Sequence, residues 1–546
     1  MDGGFEEQRG TRRLGARIAT GLAVATLVAA PLAAGALTTG TPAALLGLPV
    51  ESIAVVLILL AVSGRSLRWI VASVFGVIVV LAALAAGLDA GFKATIDRAF
   101  DITQDWPAVV SAFGVVQDAA GTGNAILIVA VLVAALIAGV IAVARAALRT
   151  ERIAARSGRT GRVAAAVVAT TWILCAVVGV QLWPGVPFAA ADAANALAAT
   201  SAQTALGIRE QEAFDRAMES DRMASIQAAD LLTGLQGKDV VIAFLESYGT
   251  VALQDPDIAR GVSRVLEEGG AELVRDGYFA QSAFLTSPTF GGVSWLAHST
   301  LQSGVWIDSQ QKYDMLTASN RFTLTRAFAD AGWRTVAVVP SNTEPWSVGT
   351  AFYGYDAVLN SRNMGYRGPA FSYARVPDQY TWQHLYEREL AREHAPVMAE
   401  VDFVSSHTPW TPVPRLVPWS EIGNGSVFDL QPAEGVAPLE VWTDPQRVRA
   451  AYGQSVEYTL GAMFSFLHTY DQPNLVLIVL GDHQPARIVS GPDAERDVPI
   501  TIITKDPAVV DDIASWHWDA GVQPSSKAPT WRMDQFRDRL FEAFGR

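Results

Sequence analysis

Long apolar runs fill the first third of the chain, and short alternating patterns fill the rest. Four runs of about twenty residues carry no charged side chain, and each is long enough to cross the ~30 Å hydrocarbon layer of a bilayer. They are residues 18–37, 69–88, 125–144 and 163–183. The pattern therefore predicts transmembrane helices in this part of the chain.

A fifth apolar run, residues 43–62, contains Glu51. An acid inside a span faces the bundle interior, marks a re-entrant segment, or lies near the outer end of the span, where it is tolerated. The three interpretations stay open, and the role of Glu51 is not assigned. Together the runs predict a membrane domain of about five helices over residues 1–183.

Arginine distribution predicts the orientation of these helices. The first run is preceded by Arg12, Arg13 and Arg17, two arginines lie between the second and third runs, and six fill residues 145–162, whereas loop 91–122 has two bases against four aspartates. Basic loops stay in the cytoplasm. We expect a multi-pass protein of the cell membrane with a cytoplasmic N-terminus and everything after residue 183 outside. A cleaved signal peptide fits the first run poorly because further runs follow it.

Downstream of the membrane domain, residues 184–235 are Ala-rich and then charged with a helical period, which indicates a helical linker. Residues 236–546 alternate strand and helix patterns. Short apolar runs predict strands at 240–245, 333–339, 474–480 and 499–504, and an alternation of apolar and acidic residues predicts another at 397–404. Residues 322–331 are predicted to form a helix. Alternating strands and helices are typical of a mainly parallel sheet with helices on both faces. We therefore expect an α/β domain.

Composition excludes several classes of protein. The formal net charge of −13 argues against nucleic-acid binding, which needs a basic face. The single cysteine, Cys175, lies in an apolar run, so the chain forms no intrachain disulfide and no cysteine-based metal site.

Two predicted strands end in side chains suited to metal binding. The first is followed by Glu246, and the strand at 474–480 is followed by residues 481–485 (GDHQP), which contain Asp482 and His483. Ligands of open α/β sheets bind at the carboxyl ends of strands, and carboxylate and imidazole together suit Zn²⁺ or Mn²⁺. A turn capped by Asp482 is the alternative. The matching acid at the other strand end favours a metal site.

A small-residue loop, Gly291-Gly292-Val293, leads to Ser294 at the start of an apolar helix. A nucleophile there benefits from the positive end of the helix dipole, as does a phosphate that it attacks. Serine is also a common N-cap residue. Propensity alone favours the cap. The remaining histidines (His298, His384, His394, His468 and His517) are expected to be structural or on the surface.

These motifs resemble the alkaline phosphatase/sulfatase superfamily, and within it the membrane-bound branch of lipoteichoic acid synthases, phosphoglycerol transferases and phosphoethanolamine transferases. The resemblance covers residues 239–504 and the five-span layout. It implies a sulfatase-like catalytic domain with one divalent ion, foremost Mn²⁺ with Zn²⁺ or Mg²⁺ as alternatives. The implied ligands are Glu246, Ser294, Asp482 and His483. Ser294 is selected over Ser299 and Thr300 because it precedes Gly304 by ten residues, a spacing that sulfatase nucleophiles share.

The resemblance also implies substrate-binding residues. His407, in the segment 405–410 (SSHTPW), matches a His-x-Pro-aromatic segment whose histidine binds the phosphoryl oxygens or protonates a leaving group. Trp346 matches the tryptophan of a substrate loop. The arginine and histidine that accompany that tryptophan in the synthases are Val348 and Val339 here, and the nucleophile there is threonine, so the donor stays open. Ser294 also lacks the Pro and Arg that formylglycine maturation needs.

The resulting prediction is a metal-dependent transferase that moves a phospho-substituent, foremost phosphoglycerol, from a membrane phospholipid to a cell-envelope glycan or glycolipid through a covalent serine intermediate. The alternatives are a phosphoethanolamine transferase, a phosphodiesterase or sulfatase-type hydrolase, and a non-catalytic scaffold that binds the envelope.

Overall fold

A computed structural model describes residues 3–96, 98–106 and 122–545. It divides into two compact units, residues 1–94 with 98–210, and residues 95–97 with 211–546. Much of the predicted 91–122 loop, residues 97 and 107–121, lies outside the described residues.

The first unit is helical. Its helices are Gly3–Thr39, Val50–Ala61, Arg65–Ile96, Thr122–Arg156 and Gly158–Val178, and the Asp192–Glu219 helix starts in it. Within the described part, four stretches are long and apolar enough to cross a membrane: Leu14–Thr39, Arg65–Thr95, Thr122–Arg156 and Gly158–Val178. They contain the four uncharged runs, apart from the last few residues of 163–183, so those runs form helices as predicted.

The fifth run has a different structure. A 3₁₀ turn at Pro42–Leu46 is followed by a helix over Val50–Ala61 only. Its 12 residues span about 18 Å at 1.5 Å per residue, less than a hydrocarbon layer. Glu51 lies in the first turn, and its Oε1 accepts a hydrogen bond from the Ala194 N–H at 3.0 Å. The acid therefore satisfies a free N–H in the first turn of the Asp192–Glu219 helix. Two short strand pairs, Leu48–Pro49 with Ala189–Ala190 and Gln181–Trp183 with Val186–Pro187, complete the unit.

The second unit is built on a nine-stranded sheet. In chain order the strands are β1 (Asp239–Leu245), β2 (Phe279–Thr286), β3 (Arg334–Val339), β4 (Ala357–Asn360), β5 (Val397–Phe403), β6 (Leu475–Gly481), β7 (Asp497–Thr504), β8 (Asp519–Ala520) and β9 (Thr530–Arg532). Their order is β8-β2-β7-β6-β1-β5-β3-β4, with β9 also paired to β2. The five strands from β6 to β4 are parallel, and β7 runs antiparallel between β6 and β2.

Helices cover both faces of this sheet, and strand β1 shows why. Alternate β1 residues belong to two separate cores: Val241, Ala243 and Leu245 to one, and Val240, Ile242 and Phe244 to the other. The long Pro256–Arg275 and Pro445–Thr469 helices pack in the first core, and the Ser294–Ser303 and Phe536–Phe544 helices pack in the second. A strand buried on both faces reads as a continuous apolar run, as this one does.

The fold class is confirmed: apolar helices are followed by a mostly parallel sheet with helices on both faces. The five predicted strands correspond to β1, β3, β5, β6 and β7, each within two residues at either end. The predicted helix at 322–331 forms over Leu324–Asp330. The remaining described helices of this unit are short: Ala228–Leu231, Val251–Gln254, Gln310–Thr317, Asp378–Leu385, Gln431–Glu434, Pro438–Val441, Arg487–Ser490 and Pro507–Asp512.

Candidate active site

The carboxyl ends of β1 and β6 bring four side chains together. These strands are parallel neighbours, and Leu245 pairs with Gly481 in register. Glu246 and Asp482 each follow the last residue of their strand, so the two acids lie side by side at one edge of the sheet. The Ser294–Ser303 helix begins over this edge.

Short distances join the four side chains. Ser294 Oγ donates to Glu246 Oε2 at 3.1 Å and lies 3.2 Å from His483 Nε2. The same His483 nitrogen lies 3.3 Å from Glu246 Oε1 and 3.5 Å from Asp482 Oδ2. The residues selected from strand ends and helix start therefore form one compact cluster.

Ser294 is not an N-cap in this structure. It is the first residue of the helix, and the cap position belongs to Val293, whose φ of 58° is rare for a branched residue. This turn of the backbone places the Ser294 hydroxyl against Glu246. Ser299 and Thr300 are fully buried, and both hydroxyls donate to the Leu296 carbonyl within the helix.

Asp482 combines the two roles that the sequence left open. Its Oδ1 accepts hydrogen bonds from the backbone N–H groups of Ser247 and His483, each at 2.7 Å, which closes the turn. Its Oδ2 faces His483 Nε2. His483 Nδ1 lies 2.8 Å from the Gln484 carbonyl oxygen, so Nδ1–H donates there and Nε2 faces the acids.

Burial and neighbouring charges shift the pKa values of three residues in this cluster. Burial opposes ionisation of Glu246, but the charges of His407 and His483 outweigh it and hold its pKa well below the ordinary value. Burial and the neighbouring Glu246 raise the pKa of Asp482. Burial lowers the pKa of His483, but the carboxylates of Asp482 and Glu246 raise it overall to about 9. Two buried acids around one imidazole favour a bound cation.

The donor set fits a divalent metal ion. One imidazole nitrogen and oxygens from two carboxylates and a hydroxyl suit Zn²⁺ or Mn²⁺. Metal–ligand bonds of about 2.0–2.2 Å put neighbouring ligand atoms roughly 3–3.6 Å apart. The distances within the cluster run from 3.1 to 3.5 Å.

A cavity of about 490 Å³ opens beside the cluster. Its lining includes both remaining predicted substrate residues, His407 and Trp346. The His407 ring stacks on Tyr373 with centroids 3.5 Å apart, and its Nδ1 lies 2.6 Å from the Thr408 carbonyl oxygen. Nδ1–H therefore donates to that carbonyl, which leaves Nε2 for a substrate. Among the described residues that line the cavity there is neither lysine nor arginine.

One part of the cavity wall was missed from the sequence. His298, expected to be structural or on the surface, lines the cavity together with Glu400 and Asp402 of β5. Its Nδ1 lies 3.1 Å from Glu400 Oε1 and 3.4 Å from Asp402 Oδ1. The signal was present in the spacing: His298 follows Ser294 by four residues, which places both on one face of the helix.

No family model matches this sequence, and no curated protein does either. Similarity appears among solved structures. A protein in the alkaline phosphatase superfamily from Vibrio parahaemolyticus matches with 15% identity and a TM-score of 0.36, covering 57% of this chain and 68% of that chain.

Two further matches are named for their chemistry. The lipoteichoic acid synthase LtaP from Listeria monocytogenes is 12% identical with a TM-score of 0.35, covering 58% of this chain and 74% of that chain. The integral membrane lipooligosaccharide phosphoethanolamine transferase A (EptA) from Neisseria meningitidis is 10% identical with a TM-score of 0.40, covering 86% of this chain and 84% of that chain. The Vibrio protein is described as a member of the alkaline phosphatase superfamily, the superfamily that the sequence motifs resemble.

Proposed function

We propose that this protein transfers a phospho-substituent from a membrane phospholipid to a cell-envelope glycan or glycolipid through a covalent intermediate on Ser294. The observation that carries the proposal is the position of the Ser294 hydroxyl. It lies within 3.2 Å of both Glu246 and His483, at the mouth of a cavity that also contains His407. An activated serine with a second proton-carrying group across the cavity is the arrangement that nucleophilic catalysis needs.

A divalent ion held by Glu246, Ser294, Asp482 and His483 would favour the ionised form of Ser294 and polarise the phosphoryl oxygens. Mn²⁺ is the first candidate, and Zn²⁺ or Mg²⁺ are the alternatives. The ionised Glu246 accepts the Ser294 hydrogen bond and so holds the hydroxyl in place beside His483.

Two steps complete the transfer. In the first, Ser294 Oγ bonds to phosphorus, its proton passes to solvent, and the bond between phosphorus and the diacylglycerol oxygen breaks while His407 Nε2 gives that oxygen a proton. In the second, the acceptor hydroxyl gives its proton to His407 and bonds to phosphorus, and the serine leaves and regains a proton. His407 thus acts as acid and then as base.

The donor proposed here is phosphatidylglycerol, so the transferred group is phosphoglycerol. The apolar helices of the first unit support a lipid donor, because they place the chain at the bilayer. The arginine distribution supports an extracytoplasmic catalytic domain, where envelope acceptors are found.

Release of diacylglycerol tests the proposal. We would incubate the full chain, in detergent with Mn²⁺, with vesicles of phosphatidylglycerol or of phosphatidylethanolamine, and use Ser294→Ala as the inactive control. Release from phosphatidylglycerol by the wild type alone is expected. Release from phosphatidylethanolamine alone would replace phosphoglycerol by phosphoethanolamine as the transferred group. A metal-loaded wild type that releases nothing from either lipid would contradict phospholipid-dependent transfer.

A further inference from the structure

His298, Glu400 and Asp402 form a second cluster of potential metal ligands, which β5 and the Ser294–Ser303 helix hold in place. Glu400 and Asp402 are two residues apart on β5, so both point to the same face of the sheet, the face that the Ser294–Ser303 helix covers. His298 descends from that helix, and its ring stacks on Phe244 with centroids 3.7 Å apart. One ligand atom from each of the three lies within 4.8 Å of the other two.

One hydrogen bond does not account for both contacts of His298 Nδ1 in this cluster. A charge-assisted bond between a protonated histidine and a carboxylate is about 2.7–2.9 Å long, and the exposed pair of His468 Nδ1 and Asp276 Oδ2 has this length, 2.8 Å. The His298 distances are longer, 3.1 and 3.4 Å, and both involve the same Nδ1. A single Nδ1–H proton points to one acceptor, Glu400 Oε1 at 3.1 Å, and Asp402 Oδ1 faces the same nitrogen at 3.4 Å without that proton.

The same distances match ligands around a metal ion. They fall within the 3.1–3.5 Å range of the Glu246–Ser294–His483–Asp482 cluster and within the roughly 3–3.6 Å separation expected for atoms bound to one ion. Outer partners fix the orientation of Glu400. Its Oε2 accepts from the Tyr355 hydroxyl at 2.8 Å and from the Gln302 amide, which leaves Oε1 directed at His298. Metal ligands characteristically have such partners.

Charge in the cavity also favours a cation. Four carboxylates, those of Glu246, Glu400, Asp402 and Asp482, line a space whose described lining residues include neither lysine nor arginine. One divalent ion at the Glu246 cluster accounts for two of the four acids, and Glu400 and Asp402 remain beside His298.

We propose that His298 Nδ1, Glu400 and Asp402 form a second divalent-cation site, of the Zn²⁺ or Mn²⁺ class, in the same cavity as the proposed catalytic ion. One nitrogen and two carboxylate oxygens are three protein ligands, and the cavity leaves further coordination positions open to a substrate oxygen. The site goes beyond the single ion that the proposed function requires.

Metal stoichiometry tests this inference. The full chain in detergent would be stripped with chelator, dialysed against Mn²⁺ alone or Zn²⁺ alone, and the bound ions counted by elemental analysis. The wild type is expected to hold two ions per chain. Asp402→Asn and Glu400→Gln are each expected to hold one, as is Asp482→Asn, and the Asp402→Asn/Asp482→Asn double variant none.

Asp276→Asn is the matched control, because it makes the same change in a histidine–carboxylate pair with an ordinary hydrogen-bond length, and it should keep two ions. A wild type with one ion that Asp402→Asn retains would overturn the inference and leave the proposed function intact. A single ion lost in Asp402→Asn but retained in Asp482→Asn would instead support the second site and contradict the proposed catalytic one. Asp402 is partly exposed at the cavity, so its amide variant is expected to fold, and Glu400→Gln tests the same site independently.

Discussion

Asp482→Asn distinguishes a metal ligand from an ordinary turn cap. Asp482 Oδ1 accepts two backbone hydrogen bonds at 2.7 Å, and the asparagine carbonyl can accept both. Hydrogen bonds to a charged group contribute about 1.5–3 kcal/mol and neutral ones about 0.5–1.5 kcal/mol, so the substitution weakens the two bonds by roughly 2 kcal/mol in total.

Removal of the buried charge acts in the opposite direction. Burial and the neighbouring Glu246 raise the pKa of Asp482 in the folded protein. A raised folded-state pKa means that the ionised carboxylate destabilises the metal-free fold at pH values above the unfolded pKa of about 3.9. At pH 7 the substitution therefore recovers stability. We expect the free energy of unfolding of the metal-free variant to lie within about 1–2 kcal/mol of the wild type.

Bound metal is expected to separate the stabilities of the wild type and Asp482→Asn, which are nearly equal without it. An ion present at about 100 times its Kd stabilises the folded state by about 2.7 kcal/mol, which corresponds to roughly 4 °C in Tm for a unit of about 340 residues. Thermal unfolding of the full chain at pH 7, with chelator and then with excess Mn²⁺, measures the increment. Asp482→Asn should lose the increment that the ion at the Glu246 cluster contributes, and the control Asp276→Asn should keep it. If Asp482→Asn is destabilised by more than about 3 kcal/mol without metal and still gains the full metal-dependent increment of the wild type, Asp482 is a turn cap and not a metal ligand.

Three further predictions follow from single positions. Gly304, at φ 64°, ends the Ser294–Ser303 helix, and a Cβ there would lie 2.7 Å from Arg537 Nε, whereas a Cβ at Gly277, φ 84°, would meet open space. Urea unfolding should show that Gly304→Ala lowers the free energy of unfolding by about 2 kcal/mol more than Gly277→Ala does. Equal losses would contradict the contact with Arg537. Burial raises the pKa of Asp378 to about 6. As the pH rises from 4 to 6, the free energy of unfolding of the wild type should therefore fall by up to about 3 kcal/mol relative to that of Asp378→Asn. Parallel plots of unfolding free energy against pH for the two proteins would contradict this. His407→Gln should lower kcat by about 10²–10⁴-fold; an unchanged kcat would remove His407 from proton transfer.

Those parts of the fold that depend on continuous apolar runs were predictable. Strands β1 and β6 read as six or seven apolar residues because both of their faces are buried, and the side chain that follows such a strand lies at the ligand-binding edge. Glu246, Asp482 and His483 could therefore be selected from local sequence, and their convergence with Ser294 follows from the parallel pairing. The roles of these residues stay predictions until they are measured.

Features that depend on packing between distant elements were not predictable. Strand β2 mixes Gln and Ser with apolar residues, since it lies beyond β7 and is less completely buried. The alternating acids of β5 looked like a half-exposed strand. They lie in the cavity wall because the helix that carries His298 packs over this face of the sheet. That contact between distant elements cannot be recognised in a local sequence pattern. The run 43–62 has the composition of a span but contains Pro49, and the helix starts only after it.

The most direct test of covalent transfer through Ser294 is the location of the intermediate. The full chain would be incubated with Mn²⁺ and phosphatidylglycerol, quenched in acid, digested and mapped by mass spectrometry, with Ser294→Ala as the test variant and Ser299→Ala, a buried hydroxyl on the same helix, as the control. The account predicts a glycerol-phosphate group on the peptide containing Ser294, absent from Ser294→Ala and present at wild-type level in Ser299→Ala. Diacylglycerol release that continues in Ser294→Ala, or an adduct on another residue, would contradict it.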